Sequence, residues 1–137
     1  MRTAIDTNVL SALWSSEATA SLVQERLAEA RNEGGLVVGA PVHAELMAHP
    51  KATESFVNDF LADTGIMIDF DLQQPVWTEA SRRFARYANR RRRSAGDEPR
   101  RLLIDFVVGS DALIQADRLM TLDPKRYRRD FHELKLI

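Results

Sequence analysis

The sequence predicts a single α/β domain in which a central parallel sheet of about five strands is covered by helices on both faces. Short apolar segments alternate with helical patterns along the chain, which is typical of βαβ units. These segments are apolar at consecutive positions, as expected for strands that are buried on both faces. The length of 137 residues suits one domain, and the best loop, residues 94–99, is too short to separate two.

The predicted elements follow from apolar spacing and from turn and capping residues. Five segments are predicted as strands, the last of them at a sheet edge: residues 3–5, 36–39, 65–68, 118–122 and 134–137. Apolar residues that recur every three or four positions predict helices over residues 9–14, 17–33, 51–63, 72–93 and 102–116, with a further helix opened by Pro41. Asp6-Thr7-Asn8 suits the start of the first helix, and Gly34-Gly35 suits the end of the second.

The composition excludes several kinds of site. Without cysteine, the chain forms neither disulfides nor thiolate metal sites. No segment approaches the roughly 20 apolar residues of a membrane span, and the N-terminus lacks the pattern of a signal peptide. We therefore expect a cytoplasmic protein without a membrane partner.

Positive charge is concentrated in residues 82–101, although the net charge of the whole chain is −1. This segment holds nine arginines and two acidic residues, a net charge of +7, so the rest of the chain carries −8. Because guanidinium groups suit bidentate contacts with phosphate or carboxylate, Arg90, Arg91, Arg92 and Arg93 are candidates for contacts with an anionic partner. The alternative is that they form the solvated end of a helix.

Acidic residues follow the predicted strands, at the edge of a parallel sheet where ligands gather. Asp6 follows the first strand, Asp123 follows the strand 118–122, and Glu45 lies about one helical turn beyond the second strand. Asp105 stands within the most apolar stretch of the chain, where a buried carboxylate needs a partner. Carboxylates in a chain without cysteine and with few histidines suit a hard cation such as Mg²⁺ or Mn²⁺.

Each acid also has a purely structural interpretation. Asp6 suits a helix N-cap, and Glu45 suits a solvated helix position. Asp123 suits a turn before Pro124, and Asp105 suits a salt bridge with an arginine of the basic segment. Rival site chemistries lack their motifs, because the sequence has no glycine-rich phosphate loop after a strand, no HExxH and no GxSxG.

The acids lie in segments that resemble the motifs of PIN-domain ribonucleases, most closely VapC-type toxins of bacterial type II toxin–antitoxin modules. The segments are Asp6-Thr7-Asn8, Val42-His43-Ala44-Glu45-Leu46, Asp105 ahead of Asp111-Ala112-Leu113-Ile114, and Thr121-Leu122-Asp123. The 18-residue step from Asp105 to Asp123 also fits the family. The resemblance spans essentially the whole chain and implies one PIN-like domain over residues 1–137.

By this resemblance the chain is a metal-dependent endoribonuclease that cleaves RNA phosphodiester bonds. The implied catalytic residues are Asp6, Glu45, Asp105 and Asp123. Asp6 and Asp105 would be the core ligands of one or two Mg²⁺ or Mn²⁺ ions.

The resemblance also implies supporting residues and partners. Asn8 and Thr121 match positions that orient the acids. Members of the family usually form homodimers and are held inactive by a cognate antitoxin, which implies a toxin–antitoxin hetero-oligomer as well as an RNA substrate. The segment that contains Arg90–Arg93 would contact either the RNA or the antitoxin.

Two positions depart from the pattern of some members of the family. Val108 and Gly109 stand where some relatives carry a further acid, and Asp111 is expected to face elsewhere on its helix.

Two other functions stay open. The alternatives are a PIN nuclease of housekeeping RNA maturation without an antitoxin, and a catalytically weak RNA- or protein-binding module. A doubly wound phosphatase is more distant, because it would want Asp-x-Asp where this chain has Asp6-Thr7-Asn8.

Overall fold

The computed structural model describes all 137 residues and contains four strands and seven helices. The strands are β1 (Thr3–Ile5), β2 (Leu36–Gly39), β3 (Ile66–Asp69) and β4 (Arg118–Met120). The helices are α1 (Thr7–Trp14), α2 (Ala20–Glu33), α3 (Ala40–Leu46), α4 (Glu54–Asp63), α5 (Gln74–Arg93), α6 (Leu103–Gln115) and α7 (Lys125–Arg128). None of the helices is both long and apolar enough to cross a membrane.

The four strands form one parallel sheet in the order β3-β2-β1-β4. Ile5 of β1 is paired with Met120 of β4, so these two strands end side by side. The chain leaves β1 toward β2 on one side, whereas β4 returns on the other side. This reversal creates a crevice beyond the ends of β1 and β4, the place where open parallel sheets bind ligands.

The predicted α/β class is confirmed, but the prediction of about five strands is wrong. Residues 134–137 make only an isolated parallel bridge between Leu119 and Leu136. The segment is short and pairs at a single position, although its backbone still bonds β4 at both ends. The third strand also differs from its prediction, because it lies at the sheet edge and leaves Met67 65% exposed.

Helix α6 packs against β4 and joins the sheet to α3, α5 and α7. Its residues Phe106, Val107 and Val108 belong to a cluster of 27 buried apolar residues. The ring of Phe131 packs so closely on Gly109 that a Cβ at this position would lie 2.6 Å from ring atoms. This contact leaves no room for a side chain at residue 109.

An ion-pair network fastens α5 to the C-terminal part of the chain; its members are Glu79, Arg83, Arg90, Glu98, Asp130 and Glu133. Arg83, which is 7% exposed, donates to Glu79, to Glu133 and to the backbone oxygen of Asp130. Arg90 donates to both carboxylate oxygens of Glu98 and to Asp130.

Candidate active site

The four predicted acids come from four different segments and meet at the carboxyl end of the sheet. Asp6 directly follows β1, Glu45 lies on α3 after β2, Asp105 lies in the first turn of α6, and Asp123 follows β4. The negative charges of Asp6 and Asp105 both raise the pKa of Glu45, in addition to the larger effect of desolvation. Asp6, Glu45 and Asp105 are therefore close enough to act on one another, and Arg126 links Asp105 with Asp123, the fourth acid. We call them the acid cluster.

Asp6 is the most enclosed member of the acid cluster, at 4% exposure. Its Oδ1 accepts a hydrogen bond from the backbone N–H of Thr7 (2.8 Å), and its Oδ2 accepts from the hydroxyls of Thr121 (2.9 Å) and Tyr127 (3.0 Å). Burial raises the pKa of Asp6, and these hydrogen bonds oppose the rise because they favour the carboxylate. Asp6 is thus both the N-cap of α1 and a member of the cluster.

Thr7 connects Asp6 with Glu45. Its backbone N–H donates to Asp6, and its side-chain hydroxyl donates to Oε1 of Glu45 at 2.9 Å. Glu45 is exposed as a residue, yet this bond holds its carboxyl group at the cluster. The interpretation of Glu45 as a solvated helix position is therefore incomplete, because it does not account for the hydrogen bond from Thr7.

Asn8 and Thr121 link the ends of β1 and β4. The side-chain amide of Asn8 donates to the Thr121 hydroxyl (3.3 Å) and accepts from the backbone N–H of Leu122 (3.0 Å). The same hydroxyl of Thr121 donates to Asp6 and accepts from the backbone N–H of Asp123. Both residues therefore contact the strand ends, and Thr121 contacts Asp6 directly.

Arg126 is the cation of the acid cluster. Its guanidinium lies 3.6 Å from Asp105 and 3.4 Å from Asp123, and its charge also lowers the pKa of Asp6 and Glu45. Asp105 accepts a second contact from the backbone N–H of Leu102 at 3.1 Å. Asp105 thus has an arginine as its salt-bridge partner, but this arginine lies on α7 and not in the basic segment 82–101.

The residue types of the acid cluster, but not their present spacing, suit a hard divalent cation. All four side chains offer carboxylate oxygens, which Mg²⁺ and Mn²⁺ prefer, and their mutual repulsion is relieved by positive charge. In the structure that positive charge comes from Arg126. No group of three or more acidic or histidine side chains is close enough to hold a metal ion.

The arginine run Arg90–Arg93 does not act as one unit. Arg90 belongs to the ion-pair network through Glu98 and Asp130. Arg91 and Arg92 line a groove between α5 and the following loop, and Arg93 is exposed. The interpretation as a solvated helix end therefore describes Arg93, whereas Arg90 has a structural partner and Arg91 lies in a groove.

Asp111 faces away from the acid cluster, as predicted. Its carboxylate packs against Gly39 at the end of β2 and accepts a hydrogen bond from Gln115 at 2.7 Å. Burial and the neighbouring charge of Asp69 raise the pKa of Asp111 to about 6. A second set of acids thus lies at the same end of the sheet, on the β2–β3 side.

Sequence reasoning missed three residues of the site, namely Thr7, Arg126 and Tyr127. Thr7 lies within the Asp6-Thr7-Asn8 segment, so its position next to Asp6 is the signal that could have identified it. Arg126 follows Asp123 by three residues, the spacing of a side-chain pair on a helical turn. Tyr127 offers no signal of this kind, because its contact with Asp6 spans 121 residues.

Comparisons with known proteins agree on the fold. No family model and no curated protein matches the sequence. A chain in the structure of VapBC-1 from nontypeable Haemophilus influenzae matches over 100% of this chain and 97% of its own, with a TM-score of 0.67 and 17% identity.

A chain in the crystal structure of VapBC2 from Rickettsia felis, bound to a DNA fragment from their promoter, is similar to the same extent. The match covers 100% of this chain and 98% of the other, with a TM-score of 0.61 and 17% identity. This chain therefore has the fold of chains found in two VapBC structures, over its whole length.

Proposed function

We propose that the chain is the toxin of a type II toxin–antitoxin system and acts as an Mg²⁺-dependent endoribonuclease. The observation that carries this proposal is the acid cluster at the crevice between β1 and β4, in which Asp6 and Asp105 act on Glu45, and Arg126 links Asp105 with Asp123. The likeness to chains of VapBC structures supports the toxin role through the fold. The motif resemblance supports the ribonuclease activity.

In this proposal, Asp6 and Asp105 hold the metal ion, and Glu45 and Asp123 complete the acidic surroundings. A bound Mg²⁺ or Mn²⁺ supplies charge that polarises a phosphodiester oxygen and lowers the pKa of a water molecule that attacks phosphorus. Thr121 and Tyr127 keep the Asp6 carboxylate in one orientation, because each donates to the same oxygen. Arg126, which pairs with Asp105 and Asp123, would give up these carboxylates to a bound divalent cation.

The proposed partners are a cognate antitoxin, with which the chain forms a hetero-oligomer, and a second copy of the chain. The edge strand β3 and the start of α5 support the homodimer, because Met67, Phe70 and Trp77 are 65%, 64% and 46% exposed. Exposed apolar side chains on an edge strand and its surroundings are typical of surfaces that a partner covers. Light scattering of the purified chain measures this directly.

The toxin proposal is tested by inducing the chain in a bacterial host beside the Asp6→Asn and Asp105→Asn variants at matched soluble levels. We expect growth arrest with the native chain and normal growth with either variant. A purified assay then measures Mg²⁺-dependent cleavage of single-stranded RNA, and we expect each variant to lose about 10²-fold or more in rate.

The other outcomes select the other functions. Cleavage without toxicity indicates a housekeeping nuclease. Toxicity that persists in both variants contradicts the nuclease and leaves an RNA- or protein-binding module. Circular dichroism of both variants shows whether a lost activity reflects lost folding.

A further inference from the structure

A groove of about 530 Å³ runs between the C-terminal half of α5 and the segment that leads into α6. Its floor is apolar and includes Phe84, Ala88, Leu102 and Leu103. Leu102 and Leu103 are 58% and 47% exposed. The fold thus leaves an open apolar surface beside a strongly basic segment.

Four arginines line this groove from two sides. Arg91 and Arg92 project from α5, and Arg100 and Arg101 come from the opposite segment. None of the four forms an ion pair with a carboxylate, whereas Arg83 and Arg90 on the same helix are fully engaged. The Nε of Arg91 is buried without any hydrogen-bond partner. The groove therefore offers unpaired positive charge in a chain whose remainder is acidic.

The groove is continuous with the candidate active site. Leu102, at its floor, donates its backbone N–H to Asp105 of the acid cluster. Arg101 also lines a neighbouring hollow together with Lys125, Arg126 and Arg129. Glu98 and Asp130 line the same hollow, and both are paired with Arg90. A row of cations thus leads from Asp105 and Asp123 through Arg126 and Arg101 into the groove.

We infer that this groove binds the single-stranded RNA that flanks the cleaved phosphodiester. Arg91, Arg92, Arg100 and Arg101 contact successive phosphates, and the apolar floor takes up sugars and bases. The inference rests on the proposed ribonuclease function and adds where the substrate lies. A polyanion fits better than a single acidic side chain, because the unpaired charges stand on both walls and continue to the acid cluster. Such contacts position the strand without reading its sequence.

The inference is tested by RNA binding as a function of salt concentration. The probe is a short fluorescein-labelled single-stranded RNA, and all proteins carry Asp105→Asn, so that the RNA stays intact with Mg²⁺ present. The test variants add Arg100→Gln/Arg101→Gln or Arg91→Gln/Arg92→Gln. The control adds Arg82→Gln/Arg86→Gln, which removes the same charge from α5 outside the groove.

We expect each test variant to bind the RNA about tenfold more weakly and to lower the salt slope by about 1.4, since each single-strand phosphate contact contributes about 0.7. The control changes both quantities by much less. Equal effects in test and control variants overturn the inference. Thermal unfolding of all variants confirms that the fold is kept.

Two further outcomes separate this inference from the proposed function. Groove-dependent RNA binding by a chain that cuts no RNA contradicts the nuclease and leaves the RNA site standing. If the test variants bind RNA normally but lose affinity for an acidic, leucine-containing peptide, the groove is a protein-docking surface and the RNA assignment is wrong.

Discussion

The acid cluster and the ion-pair network of α5 hold similar side chains in opposite electrostatic states. In the network, arginines hold the pKa of Glu133 at about 2 and that of Glu98 below its usual range. In the cluster, desolvation raises the pKa of both Asp6 and Glu45. Both regions bury carboxylates, but only the network supplies each of them with a close cation.

The difference separates charge that stabilises the fold from charge that is available to a ligand. Arg83 and Arg90 give the network short, multiple hydrogen bonds. The four acids of the cluster share one guanidinium, that of Arg126, at 3.4–3.6 Å from two of them. Natural proteins keep such under-neutralised groups at functional sites and accept a loss of stability there.

The largest effect on stability is expected from Arg83→Met in the network. The substitution leaves Glu79 and Glu133 without their partner and the backbone oxygen of Asp130 without a donor. We expect a loss of about 3 kcal/mol in the free energy of unfolding, measured by urea denaturation. Arg82→Met, on the next residue of the helix, removes only an exposed pair at 3.7 Å and should cost less than about 0.5 kcal/mol. Equal losses would contradict the structural role of the network.

A smaller effect with the opposite sign is expected from Asp111→Asn on the β2–β3 side. The pKa of about 6 in the folded chain exceeds the unfolded value of about 3.9, so the native state binds the extra proton between these pH values. Native stability contributed by this group is therefore lost as pH rises from about 4 to about 6. Asn removes the charge and keeps an oxygen acceptor for Gln115.

We therefore expect Asp111→Asn to stabilise the chain by about 2 kcal/mol at pH 7 and by nothing near pH 4. Urea denaturation at the two pH values measures this difference. A variant that is equally or less stable than the native chain at pH 7 would show that Asp111 is already neutralised by its surroundings.

The third prediction concerns Thr121, which joins the strand ends at the acid cluster. Thr121→Val keeps the shape but removes the hydroxyl that bonds Asp6, Asn8 and the backbone of Asp123. We expect a loss of about 1 kcal/mol in stability and about a tenfold loss in RNA cleavage, because Asp6 is less well oriented. Thr121→Ser restores the hydroxyl, and it should recover most of the cleavage. Failure of Ser to do so would contradict a positioning role.

The smallest effect on stability is expected from Arg126→Gln, despite its central place in the cluster. Its ion pairs are partly exposed, so we expect a change below about 0.5 kcal/mol without metal. The guanidinium competes with a metal ion for the same carboxylates. We therefore expect that less Mn²⁺ is needed to raise the melting temperature of this variant than to raise that of the native chain. Arg128→Gln, which lacks an acidic partner, is the control. An unchanged Mn²⁺ dependence would contradict the competition.

Much of the fold and of the candidate site follows from local sequence. The ends of β1 and β4 are marked by apolar runs that stop at Asp6 and shortly before Asp123, so periodicity alone places both acids at one sheet edge. Asp105 is recognisable because a charged residue inside an apolar helix needs a partner.

The remainder depends on packing between distant segments, which local patterns do not record. The sequence could not separate Arg90, fixed by Asp130 from 40 residues away, from Arg91 in the groove. It likewise predicted a fifth strand at 134–137, because apolar composition does not reveal that only Leu136 pairs with β4.

The hydrogen bonds that orient Asp6 have a consequence for the time at which the acid cluster forms. Asp6 is synthesised 115 and 121 residues before its partners Thr121 and Tyr127. The backbone of Thr121 is held in turn by the carbonyl oxygen of Ile137. During translation, a growing chain therefore carries the first acid long before it carries the groups that hold it in place. The cluster therefore assembles only after Thr121 and Tyr127 have left the ribosome.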